Sequence, residues 1–61
     1  MFEIERHFDG CVVFQPTSAF TARYVKSYRK GKYTFTTDYS YAKIFTDKTA
    51  RKHADTLNER G

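Results

Sequence analysis

The sequence has very few of the features that staple small domains or anchor them in a membrane. It contains one cysteine, Cys11, which cannot form an internal disulfide, and one thiol with two histidines is a poor ligand set for a metal. The longest uninterrupted apolar run, residues 11–14, is far shorter than a membrane span, and the N-terminus lacks the basic and apolar stretches of a secretory signal. We therefore expect a cytoplasmic protein with no disulfide, no metal or other cofactor and no membrane partner.

Glycine is also scarce, and no catalytic motif stands out. The three glycines, at positions 10, 31 and 61, are too far apart to form a phosphate-binding loop, so nucleotide hydrolysis has no support. Cys11 is the candidate nucleophile, with His7 and His53 as possible bases. A free thiol usually packs as a small hydrophobe, and the hairpin predicted below places His7 on the opposite face from Cys11. We predict that the chain is not an enzyme.

Aromatic residues, by contrast, are abundant. They make up 18% of the chain, as six Phe and five Tyr, within a hydrophobic fraction of 39%. This content is too high for a disordered tail and predicts a folded core built from rings. Because a chain of this length buries only about 60% of its unfolded surface, we expect residues 1–61 to form a single small domain.

The first part of the chain has the pattern of a β-hairpin. Residues 2–8 alternate apolar and polar side chains, Asp9 and Gly10 follow, and residues 11–14 are rich in β-formers. Asp-Gly between two such runs predicts a type I′ turn, which pairs Phe8 with Cys11. Proline lacks the donor that a central strand requires, so Pro16 should end the ladder.

The next segment, residues 20–28, fits two structures. Aromatic residues four apart would form a stripe on a helix, whereas alternation from Ala22 to Tyr28 fits a strand. The glycine turn at Gly31 and the threonines and rings of residues 32–37 favour a strand, which needs a neighbour. We therefore predict a second hairpin, with strands at 22–28 and 32–37.

The last part of the chain predicts a helix. Thr46 is a suitable N-cap, and residues 47–59 contain no Gly or Pro and place Ala50, Ala54 and Leu57 on one face. The apolar residues just before the helix should tuck under the sheet: Tyr41, Ala42, Ile44 and Phe45. The predicted fold is α+β, a small antiparallel sheet of two β-hairpins, about four short strands, packed against one C-terminal α-helix.

Positive charge is concentrated after the first hairpin. The chain has eleven Lys and Arg against seven Asp and Glu, a net charge of +4. Residues 1–20 have three acidic residues and one basic residue, whereas residues 21–61 have ten basic and four acidic residues. In the second hairpin the basic residues alternate with rings, which suits phosphate contacts and base stacking. The predicted nucleic-acid-binding residues are Arg23, Lys26, Tyr28, Arg29, Lys30, Lys32 and Tyr33.

Two other interpretations remain open. The basic residues could simply keep a hairpin soluble, with the tyrosines forming part of its core. The chain could also be a protein-binding modulator or inhibitor, because tyrosine is enriched at interfaces. In the predicted register, Val12 and Phe14 lie on the other face of the sheet from Cys11, together with Glu5 and His7. One helix cannot cover both faces, so exposed apolar residues there would favour a homodimer or another protein partner.

A resemblance adds to this interpretation. The stretch from Thr36-Thr37-Asp38 through Ala42-Lys43-Ile44-Phe45-Thr46 to Ala50, Ala54 and Leu57 resembles the C-terminal half of small phage and prophage accessory proteins. A similar sheet and helix occur in the arm-binding domains of phage-type integrases, although this chain has an additional acidic hairpin and no recombinase domain. The resemblance implies a small phage-encoded accessory or regulatory protein that acts in the host cytoplasm.

Overall fold

The computed structural model describes residues 1–60 and shows the predicted α+β architecture. Four antiparallel strands form one sheet in the order β1-β2-β3-β4, and one helix packs on a face of it. A short 3₁₀ turn, Tyr39–Tyr41, lies between the sheet and the helix. The bounds of the elements are β1 Glu3–His7, β2 Gly10–Pro16, β3 Ala22–Arg29, β4 Lys32–Thr36 and α1 Asp47–Arg60.

The first hairpin forms, but its predicted turn is wrong. His7 pairs with Gly10, so the loop residues are Phe8 and Asp9, and neither has a positive φ. Gly10 instead opens β2 with φ 143°, where an added Cβ would lie 2.6 Å from the Phe45 carbonyl oxygen. The glycine is therefore required by a close approach of another segment. Because the register is shifted by two residues, the predicted faces of the strands are unchanged.

The second hairpin contains the type I′ turn. Arg29 pairs with Lys32 across a loop of Lys30 and Gly31, which have φ values of 51° and 81°. Positive φ at both loop residues matches the twist of a two-stranded ribbon. Residues 22–29 are a strand, as predicted. A register shift between Val25 and Ser27 marks a bulge that leaves Lys26 outside the ladder.

The two central strands separate, and a later segment fills the opening. β2 and β3 pair only through Phe14–Pro16 and Ala22–Tyr24. Beyond these pairs, Phe45 exchanges two backbone hydrogen bonds of 2.8 Å with Cys11, and the Lys43 N–H donates to the Val25 carbonyl at 2.9 Å. The chain thereby satisfies the backbone groups that β2 and β3 no longer give each other. This crossing takes it from the face of the 3₁₀ turn to the face of the helix.

The helix face holds the main core. The Thr46 hydroxyl accepts a hydrogen bond from the Thr49 N–H at 3.3 Å, which is the predicted N-cap. Small alanines let the helix lie close to the sheet, and Leu57 is also buried in the core. Cys11 is buried, with 2% of its surface exposed. The buried core cluster is Cys11, Val13, Val25, Phe45, Ala50, Ala54 and Leu57.

Two expectations about apolar residues are wrong. Of the segment predicted to tuck under the sheet, only Phe45 is fully buried, because Tyr41 and Ile44 lie at the surface where the chain crosses. Val12, expected at an exposed face, is completely buried. The centroid of the Tyr39 ring lies 5.1 Å from that of His7 in β1 and 5.5 Å from that of Tyr24 in β3. Tyr39 therefore covers β2, the strand between them, on the face where Val12 lies.

We predict that Gly10 is more sensitive to substitution than Gly31, the glycine of the second hairpin turn. Gly31→Ala meets no atom within 4 Å and should cost about 1 kcal/mol through its positive φ alone. Gly10→Ala adds a clash with the Phe45 backbone and should cost at least about 2 kcal/mol of unfolding free energy. Urea denaturation followed by circular dichroism measures both changes. Equal losses would contradict the close approach.

Candidate nucleic-acid interface

The basic and aromatic residues that alternate in the second hairpin lie on different faces. Consecutive side chains of a strand point to opposite sides, so pairs along the ribbon alternate as well. Tyr28 pairs with Tyr33, and the next pair is Arg29 with Lys32. The tyrosines face the helix, whereas Arg29 and Lys32 lie on the open face. The interleaving in the sequence therefore becomes a separation of rings from cations in the structure.

The two tyrosines anchor the hairpin on the helix. Their ring centroids are 4.7 Å apart, and the Tyr28 ring lies 4.6 Å from that of His53. The Tyr33 hydroxyl hydrogen bonds to His53 Nδ1 at 2.7 Å, and the Arg60 guanidinium lies over the Tyr33 ring. Tyr33 is half-buried, whereas Tyr28 keeps 42% of its surface exposed. Packing contacts cover most of the surface of the two tyrosine side chains. Of the two, Tyr28 has the more accessible ring for a ligand.

Arg23 lies apart from the other predicted cations. Its guanidinium is 4.5 Å from the centroid of Phe35 and 5.9 Å from that of Phe2, and it donates to Gln15 Oε1 at 2.7 Å. Arg23 and Arg29 are at opposite ends of β3, about 20 Å apart along an extended strand. Arg23 therefore covers core rings at the far end of the sheet and does not join the other cations.

Four of the predicted cations lie in the part of the β3–β4 hairpin that runs from the bulge of β3 to the turn. Lys26, Arg29, Lys30 and Lys32 are exposed, and within residues 1–60 none of them forms an ion pair. The described ion pairs instead involve Arg6 and Arg51 with Asp47, and His7 with Glu5. The acidic residues of β1, Glu3 and Glu5, lie at the opposite edge of the sheet. This part of the hairpin therefore carries four cations that form no described ion pair.

Sequence reasoning missed two neighbours of this site. Lys26 Nζ lies 5.8 Å from the centroid of the Tyr41 ring, and Tyr41 is 64% exposed. Lys43 is held beside β3 by its hydrogen bond to the Val25 carbonyl. The polar residues that surround Tyr41 in the sequence could have indicated its exposure, but nothing local predicts that the chain returns to the bulge of β3.

A surface pocket lies between the start of the chain and the C-terminal half of the helix. The pocket, of about 190 Å³, is lined by Met1, Phe2, Gln15, Leu57 and Asn58, none of which is an obvious catalytic acid, base or nucleophile. Residues 1–60 contain no group of three or more side chains placed to hold a metal ion. Across the same residues, no helix has both the length and the apolar character needed to cross a membrane.

Comparison with known proteins gives no match: no protein family, no curated protein and no solved structure is similar to this chain.

We predict that the contact of the hairpin with His53 makes stability depend on pH. Burial, and to a lesser extent the charge of Lys52, lowers the pKa of His53. The unfolded chain therefore takes up this proton at a higher pH than the folded chain does. Neutral His53 therefore makes its full contribution to the free energy of unfolding above pH about 6.5. This contribution is lost as the pH falls through the lower pKa of His53 in the folded state.

Urea denaturation between pH 7.5 and 5 measures this effect. His53→Gln removes the titrating group, so the slope of stability against pH in this window should become smaller. An identical slope in the variant would show that another group is responsible.

Proposed function

We propose that this protein binds nucleic acid through the tip of the β3–β4 hairpin and acts by binding, without catalysis. The observation that carries the proposal is the group of four exposed cations, Lys26, Arg29, Lys30 and Lys32, that lie in one short hairpin with no acidic partner among residues 1–60. Phosphate groups are the ligand that such a group of charges fits best, and release of counterions drives the association.

The rigidity of the hairpin supports the proposal. The type I′ turn fixes the two loop residues, and the contacts of Tyr28 and Tyr33 with His53 hold the ribbon on the helix. Arg60 also donates to the Gly31 carbonyl at 3.0 Å, directly at the turn. A ligand then meets cations whose backbone is already ordered, which lowers the entropy cost of binding.

The resemblance of residues 36–57 to small phage and prophage proteins suggests the biological setting. We propose a phage-type accessory or regulatory protein that acts in the host cytoplasm. Such a protein can act by binding to a nucleic acid and does not need an active site.

We predict that removing two tip charges weakens binding without weakening the fold. The variant is Lys30→Asn with Lys32→Thr. Asparagine tolerates positive φ better than lysine, so the new Asn-Gly turn should stabilise the fold by about 0.5–1 kcal/mol. The affinity for a labelled oligonucleotide at about 0.1 M salt should fall roughly 10- to 100-fold, and the slope of log K against log salt should shrink by about 1.4 to 1.8.

Fluorescence anisotropy measures both quantities, and the chain offers a matched control. Lys48→Gln with Lys52→Gln removes the same charge from the exposed side of the helix and should change affinity much less. Similar losses in the two variants would mean that the total charge, and not the hairpin, drives binding.

Binding to a protein partner is the second candidate. Two loop phenylalanines favour it, because Phe8 and Phe20 are fully exposed at opposite ends of β2, with relative exposures of 105% and 97%. In the homodimer expected through Val12 and Phe14, Val12 would not be available because it is buried within the chain, whereas Phe14 is half-buried beside Tyr24. If the wild-type protein binds no nucleic acid even at low salt, these phenylalanines are the first residues to test against protein partners.

A further inference from the structure

Most aromatic rings of the chain are already engaged in packing. Phe45 is buried, and Phe2, Tyr33 and Phe35 pack against the core. On the open face, the Tyr24 ring contacts both Phe14 and Tyr39. Tyr41 is the most exposed tyrosine, at 64%, and within the described residues its ring contacts no other aromatic ring.

The position of Tyr41 relative to charge distinguishes it from the other exposed rings. Phe20 lies in the loop before β3, at the end of the sheet opposite the basic tip, and Phe8 is next to Asp9. The Tyr41 ring has Lys26 Nζ at 5.8 Å. The backbone of Lys43, two residues later, lies beside Val25, and Lys43 Nζ lies 5.9 Å from the centroid of the Phe45 ring. Both lysines are exposed, and neither is in a described ion pair. We call Lys26, Tyr41 and Lys43 the bulge platform.

The backbone of the bulge platform is well held. The bulge of β3 leaves Lys26 outside the ladder. The Lys43 N–H donates to the carbonyl of Val25, the residue just before Lys26. In the 3₁₀ turn, the Asp38 carboxylate accepts from the Ser40 N–H at 2.9 Å, and the Tyr41 N–H donates to the Asp38 carbonyl at 3.0 Å. The Asp38 carboxylate is thus bonded within the turn, and no described ion pair links it to either lysine.

We infer that the nucleic acid bound by this protein is single-stranded, and that one of its bases stacks on Tyr41 while Lys26 and Lys43 contact the adjoining phosphates. This inference rests on the proposed nucleic-acid function. An exposed ring next to a cation can stack on the face of an unpaired base, whereas a duplex keeps each base within its own stack. Lys26 and Arg29 are three residues apart in β3, about 10 Å, so the same strand continues from the platform to the hairpin tip.

The experiment compares single-stranded and duplex forms of one labelled 12-nucleotide sequence, at matched salt, by fluorescence anisotropy. Tyr41→Leu tests the stacking ring, and Phe20→Leu is the matched control because it truncates another exposed ring away from the basic tip. Tyr41→Leu should weaken binding of the single strand by about 5- to 150-fold. It should leave the salt dependence unchanged, because no charge is removed, whereas Phe20→Leu should leave both quantities unchanged.

The outcomes separate this inference from the proposed function. Tighter binding of the single strand, lost in Tyr41→Leu, supports both. Duplex binding as tight as single-strand binding, with no effect of Tyr41→Leu, overturns the inference and leaves the proposed function standing. No binding of either form at low salt overturns both. Circular dichroism of the two variants confirms that each is folded.

Discussion

The backbone bridge between Cys11 and Phe45 is the contact on which the rest of the structure depends. It closes the opening left where β2 and β3 separate, and it fixes the point at which the chain crosses to the helix face. Position 10 must be glycine because a side chain there would collide with the Phe45 carbonyl. The helix begins two residues after Phe45, so the bridge also sets where the helix starts on the sheet.

The same separation of strands frees the basic hairpin. β2 pairs with β3 only up to Tyr24. Val25 then accepts the Lys43 N–H, and from Ser27 onward β3 and β4 form a two-stranded ribbon. A ribbon of this kind is marginal by itself and needs support from packing. Tyr28 and Tyr33 supply it through His53, while the opposite face of the ribbon keeps its cations in water. Aromatic and basic residues thus have separate tasks: the rings hold the hairpin and the charges face outward.

The sequence predicts local features of the fold well and long-range features poorly. The helix, its Thr46 cap and its buried alanines follow from short-range periodicity, and the second hairpin follows from its glycine turn. The predicted position of the first turn is wrong because the glycine at position 10 makes room for the Phe45 carbonyl, which is distant in the chain, and does not form the turn. The same crossing leaves Tyr41 and Ile44 exposed. At the candidate site, the exposure of the cations is predictable, whereas the neighbourhood of Lys26 and Tyr41 depends on a bulge that no local pattern indicates.

The central claim is that the β3–β4 hairpin is the surface that contacts nucleic acid. Amide chemical-shift mapping tests it most directly, by adding an unlabelled 12-nucleotide single strand to the ¹⁵N-labelled wild-type protein. We expect the largest shifts in residues 26–32 and 41–43, and we expect these shifts to diminish as salt is added. Shifts centred on β1 or on the outer side of the helix, or no shifts at low salt, would contradict it.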